Sequence, residues 1–164
     1  MVAVASKQDV YRAEWMLENI MATNAPYTVH GSTVVLPDEI KFSDLEHIRV
    51  YVGRVIDVVN IELGRNHTHP KVRLGRKDLR KKAYCTGSDI VLPHRESGAW
   101  AWTRTVVLHE LAHFLTPGHG HDATFAGMLT YLFEIAISPE TAFVYSTLLM
   151  ESGMNPIRPE GIAA

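Results

Sequence analysis

Cysteine is nearly absent from this chain of 164 residues, Cys85 being the single one. That excludes an intramolecular disulfide framework, and a lone thiol fits a reducing compartment. Long apolar runs are missing as well. No stretch approaches the roughly 18 residues of a membrane span, and Lys7, Asp9, Arg12, Glu14 and Glu18 interrupt any signal-peptide core near the N-terminus. The expected location is therefore cytoplasmic, with no membrane partner. Charge of one sign is not in excess, 16 Lys and Arg standing against 18 Asp and Glu. Internal repeats, linkers and low-complexity segments are lacking too. What remains, with 46% hydrophobic residues, has the composition and length of one globular domain, expected to span residues 1–164.

Periodicity divides that length into elements. Ser6 is placed to cap a first helix running to about Met21, with Val10, Leu17 and Ile20 among its apolar positions. Thr28 to Leu36 is β-branched and contains Gly31-Ser32, the pattern of a short hairpin or a kinked strand. Ser43 is the expected cap of a second helix, ended by Gly64, in which Leu45, Ile48, Val52, Val55, Ile56 and Val59 recur at helical spacing. Strands follow around Val72-Leu74, Ala83-Cys85 and Asp89-Leu92, the last two joined at Thr86-Gly87-Ser88. Three helices finish the chain: one from about Trp100, one opened by Asp122, and one opened by Ser138-Pro139 and closed before Gly153. The expected fold class is α+β, a small sheet packed against helices.

The chemistry concentrates in His109-Glu110-Leu111-Ala112-His113, set between Val106-Val107-Leu108 and Phe114-Leu115. Two histidines four apart on a helix project from one face, so both imidazoles reach a single metal ion. Glu110 is offset by about 100° around the axis, beside the metal's open position. There it can take a proton from a water that zinc has acidified. Apolar helical flanks argue against a chance coincidence on an exposed face. A catalytic zinc needs three protein ligands, and His119 and His121 both follow at ligand distance. His119 has the H-E-x-x-H-x-x-G-x-x-H spacing, but Thr116 stands where that pattern has Gly. His121 stands just ahead of the run Phe125, Met128, Leu129, Leu132, Phe133 and Ala136, so a core-anchored helix would position it. The spacing leaves the third ligand open between the two, with His121 the better placed.

Gly120-His121-Asp122-Ala123-Thr124-Phe125 after His109-Glu110-x-x-His113 resembles the SprT-like zinc peptidases and a related bacterial family of small metallohydrolases. Lys82 to Cys85, Ile90 to Pro93, and Trp100 ahead of Val107-Leu108 resemble the second family, so the likeness covers roughly Val72 to Gly153. In both families the third ligand is the His of a G-H-G-x-x-F-type element, which falls here on His121. This chain departs in having Asp122 where the pattern has Gly, a short gap after His113, and the extra His119. The resemblance implies a zincin-like fold with its zinc-site core at about residues 72–153. It also implies one zinc ion on His109, His113 and His121, Glu110 as catalytic base, and a protein or peptide substrate. By the same resemblance Ile90-Val91-Leu92-Pro93 is an edge strand that pairs with extended substrate.

The alternative class is a non-catalytic zinc-containing regulatory or nucleic-acid-associated protein. A cluster at residues 71–82, comprising Lys71, Arg73, Arg76, Lys77, Arg80, Lys81 and Lys82 with one acid, Asp78, is the only feature pointing to nucleic acid. The near-neutral chain and the lack of interleaved aromatics favour a solvated hairpin face instead. His67 and His69 read as exposed loop residues, and Cys85 as a packed or half-exposed strand thiol. His94, Tyr84, Tyr131 and Tyr145 are possible electrophiles beside a zinc, none singled out by its spacing.

Overall fold

The computed structural model describes residues 6–77 and 81–161. Among these the fold is mixed α+β. In chain order the elements are α1 (Lys7–Thr23), β1 (Tyr27–Val29), β2 (Ser32–Val34), α2 (Leu45–Leu63), β3 (Lys71–Leu74), β4 (Tyr84–Cys85), β5 (Asp89–Leu92), α3 (Arg95–Gly98), a 3-10 turn (Ala99–Ala101), α4 (Arg104–Leu115), α5 (Ala123–Ala136) and α6 (Pro139–Glu151). No helix among the described residues is long and apolar enough to cross a membrane. The chain divides into two compact units.

One unit holds α1, the β1–β2 hairpin, α5 and α6. Helix α1 opens where the Ser6 N–H donates to the Asp9 carboxylate at 2.5 Å, one half of a capping box. The hairpin turns at His30 and Gly31, whose φ angles of 46° and 78° are both left-handed, as a two-residue turn between twisted strands requires. Helix α5 packs on α6, with the Phe133 and Tyr145 rings 4.9 Å apart, and α1 also packs on α6. After α6 the chain returns along α5: Ile157 N–H donates to Ala123 O at 2.9 Å, and Arg158 reaches Glu134 at 2.6 Å.

The other unit is built on a three-stranded sheet of order β3-β5-β4, in which β3 runs parallel and β4 antiparallel to β5. This corrects the sequence-based assignment of Ile90–Leu92 as an edge: β5 is the central strand, bonded on both sides. Ile90, Val91 and Leu92 are fully buried. A continuous apolar run covered on both faces is what a central strand with a parallel neighbour carries. Helix α4 packs against β4, β5 and α2. Two boundaries also differ from expectation. Asp44, not Ser43, caps α2, its carboxylate accepting from Glu46 N–H at 2.6 Å. Helix α4 starts at Arg104 rather than near Trp100, because residues 95–101 form their own short turns, held where Trp102 Nε1 donates to Pro93 O at 2.9 Å.

Candidate metal centre

Helix α4 carries the first two histidines. Thr103 caps it, accepting from Val106 N–H, and Val107, Leu108, Leu111 and Ala112 are fully buried, so core packing fixes its rotation. His109 and His113 consequently share a face, their ring centroids 4.9 Å apart. His109 and Glu110 are buried and His113 is half-buried.

The chain then turns through Gly118 and Gly120, with φ of 82° and 58°, conformations that glycine adopts without strain. Asp122 closes the turn and opens α5. Its Oδ1 accepts from Thr124 N–H at 2.9 Å and Phe125 N–H at 3.0 Å, while Oδ2 is 2.9 Å from His119 Nδ1. Partial burial opposes ionisation of this carboxyl, but the Phe125 amide, His119 and the Thr124 amide outweigh it and leave its pKa below the ordinary value. His121 is half-buried, its ring 4.9 Å from Phe125 and 5.1 Å from Tyr11.

Along this continuous stretch from α4 into α5, the ligand nitrogens of His109, His113 and His121 all lie within 4.8 Å of one another, a group that can hold a metal ion. The exposed His119 is not in the group; it is engaged by Asp122. Three neutral imidazoles are a donor set suited to zinc. Tyr11, whose ring stands against His121, had no signal in the sequence spacing.

Strand β4 borders α4. Cys85 on it is half-buried, and burial first, then the negative charges of Glu110 and Asp89, push its thiol up to about 11. The remaining histidines lie elsewhere. His67 packs edge-on against Phe114, held by Asn60 Nδ2 to its carbonyl at 2.9 Å and by its own N–H to Asn60 Oδ1 at 2.8 Å. Burial, then Arg65, lowers its pKa. His69 pairs with Asp57 at 2.7 Å, and His94 Nε2 donates to Gly75 O at 3.0 Å. Tyr145 is fully buried, its hydroxyl pKa raised by burial and then by Glu14, and Tyr131 is buried under Arg158. Tyr84 is exposed on β4.

Of the basic run, Arg73, Arg76, Lys77, Lys81 and Lys82 line one pocket of about 660 Å³ together with Tyr84; Asp78 and Arg80 lie outside the described residues. No protein-family model, no curated protein and no solved structure matches the chain.

Proposed function

We propose that the chain is a zinc-dependent metallopeptidase of zincin-like fold that hydrolyses peptide bonds in a protein or peptide substrate. The observation that carries this reading is the convergence of His109, His113 and His121 nitrogens within 4.8 Å beside the buried Glu110. When bound there, zinc would polarise the scissile carbonyl and acidify the attacking water. His109, His113 and His121 would hold it, three protein ligands being the number that a catalytic zinc takes. Glu110 accepts the water's proton and passes it to the departing amine.

Substrate binding by strand addition falls to β4 on this reading. Among the described residues β4 pairs with β5 alone, so its outer edge offers free backbone groups next to α4. A cytoplasmic setting suits the single thiol.

Glu110→Gln tests the proposal. The substitution keeps size and polarity but removes the base. Zinc content should be unchanged, while hydrolysis of a mixed peptide library falls by about two orders of magnitude or more. Unchanged turnover would remove Glu110 as base. A zinc-loaded wild-type chain that cuts no peptide would favour a non-catalytic zinc protein.

A further inference from the structure

We infer that the basic pocket at the start of β4 is a specificity subsite that takes an acidic side chain of the peptide substrate; the inference rests on the metallopeptidase reading above.

The pocket is formed where three strand ends meet. Strand β3 leaves the sheet at Leu74 and β5 at Leu92, while antiparallel β4 enters beside them at Tyr84. The bond from His94 to Gly75 O, at 3.0 Å, and that from Gly75 N–H to Leu92 O, at 2.9 Å, tie the two parallel ends together. The strand ends therefore set the mouth of the pocket, and the segments that follow β3 and β5 supply most of its lining. At about 660 Å³ the pocket falls within the range of ligand sites.

Among the described residues its charge is uncompensated. Arg73 is occupied, donating from Nε to Asp89 Oδ2 at 2.6 Å. Among the described residues no carboxylate pairs with Arg76, Lys77, Lys81 or Lys82, so four cations surround one concavity. In a chain whose formal charge is −2, this concentration is local, and an anion is the occupant it would lower in energy.

Position identifies the carrier of that anion. Tyr84 both lines the pocket and pairs with Val91 as the first residue of β4. Cys85, the second, follows it on the strand that packs against α4, the helix that carries Glu110. A peptide added to the outer edge of β4 thus runs alongside α4 and past Tyr84 toward the cations, advancing about 3.3 Å per residue. An acidic side chain a few residues from the scissile bond meets the pocket. Nucleic acid fits less well. Its phosphates need an extended basic track, and single strands need a series of stacking aromatics, whereas this is one concavity whose described lining offers only the rings of Tyr84 and of His94, the latter bonded to Gly75 O.

The test is fluorescence anisotropy with labelled hexaglutamate, hexaglutamine and hexathymidylate on the zinc-loaded chain. It is repeated on Lys81→Glu with Lys82→Glu and, as a milder pair, Lys81→Gln with Lys82→Gln. Several screened pairs acting together predict a preference for hexaglutamate over hexaglutamine of about tenfold at low salt. That preference should shrink in the Gln pair, vanish in the Glu pair, and fade as salt rises to about 0.5 M. Equal affinity for the two peptides, or a preference untouched by either pair, overturns the inference. Tighter binding of hexathymidylate with the same sensitivity overturns it in favour of nucleic acid. Sequencing the cuts made in a peptide library separates the two claims: cuts enriched in Asp or Glu at a fixed position on one side support the subsite. Cuts without that enrichment refute the subsite alone, and no cuts at all refute the metallopeptidase reading on which it rests.

Discussion

Replacing Gly127 by Ala perturbs the helix that follows His121 without touching the site. A Cβ at this position would stand 1.7 Å from the carbonyl oxygen of Ile157, 2.3 Å from its carbon and 2.8 Å from its nitrogen. All three are backbone atoms, so the returning chain must move. The bond from Ile157 N–H to Ala123 O would be lost, at about 1 kcal/mol. The exposed Arg158–Glu134 pair adds about 0.2–1 kcal/mol, and overpacking against the buried face of α5 adds about 1–3 kcal/mol. Alanine returns up to about 1 kcal/mol of helix propensity. The net loss is about 1–4 kcal/mol, which for a chain of this length lowers Tm by roughly 2–16 °C. Circular dichroism melts measure it. Gly87→Ala, where nothing lies within 4 Å of an added Cβ, serves as the control and should change stability by less than about 0.5 kcal/mol. Zinc affinity should weaken in Gly127→Ala, because the displaced segment bonds to the first turn of α5. A Tm equal to or above that of the wild type would refute the reasoning: the close approach would then not hold in solution.

Asp122→Ala removes the acceptor for two amides at the start of α5. It should cost about 1 kcal/mol in a thermal melt, most of it restored by Asp122→Asn, and an unaltered melt for the alanine variant would remove the cap from the account. Cys85, with its thiol raised to about 11, is protonated in the metal-free fold at pH 8, where its thiolate fraction is about one in a thousand. Alkylation by iodoacetamide should therefore be on the order of 100-fold slower in the folded chain than in urea, and equal rates would contradict the burial that sets the shift. Because the fold raises this pKa, the associated stability is fully present below the unfolded thiol's value and is lost as pH climbs through about 11.

Local signals in the sequence locate most elements, and nonlocal pairing accounts for what they leave out. Ser6, Gly64, Asp122 and the Ser138-Pro139 pair mark helix ends, because capping is a contact between residues two to four apart. Ser43 and Asp44 are both good caps, and which one acts depends on the approach of the preceding chain, which bridges Lys41 to Thr103. The start of α4 was misplaced for a similar reason, since the Trp102–Pro93 bond spans a loop. The largest difference is that β5, expected as an edge, is the central strand. The parallel pairing of β3 with β5 is encoded in no single segment, although the unbroken apolar run Ile90-Val91-Leu92 carried a sign of it. In the candidate site, the four-residue spacing of His109 and His113 is a helical signal and so legible. The position of His121 depends on the turn through Gly118 and Gly120, and the gathering of the basic run around one pocket depends on where three strands end.

Zinc analysis of the purified wild type, His119→Ala and His121→Ala chains by mass spectrometry tests the central claim most directly. The account predicts about one zinc per chain in the wild type and in His119→Ala, and a loss of most of it in His121→Ala, because a site with two remaining histidines lacks a protein ligand. A wild type that binds no zinc, or a His121→Ala chain that keeps it while His119→Ala loses it, would contradict the three-histidine centre.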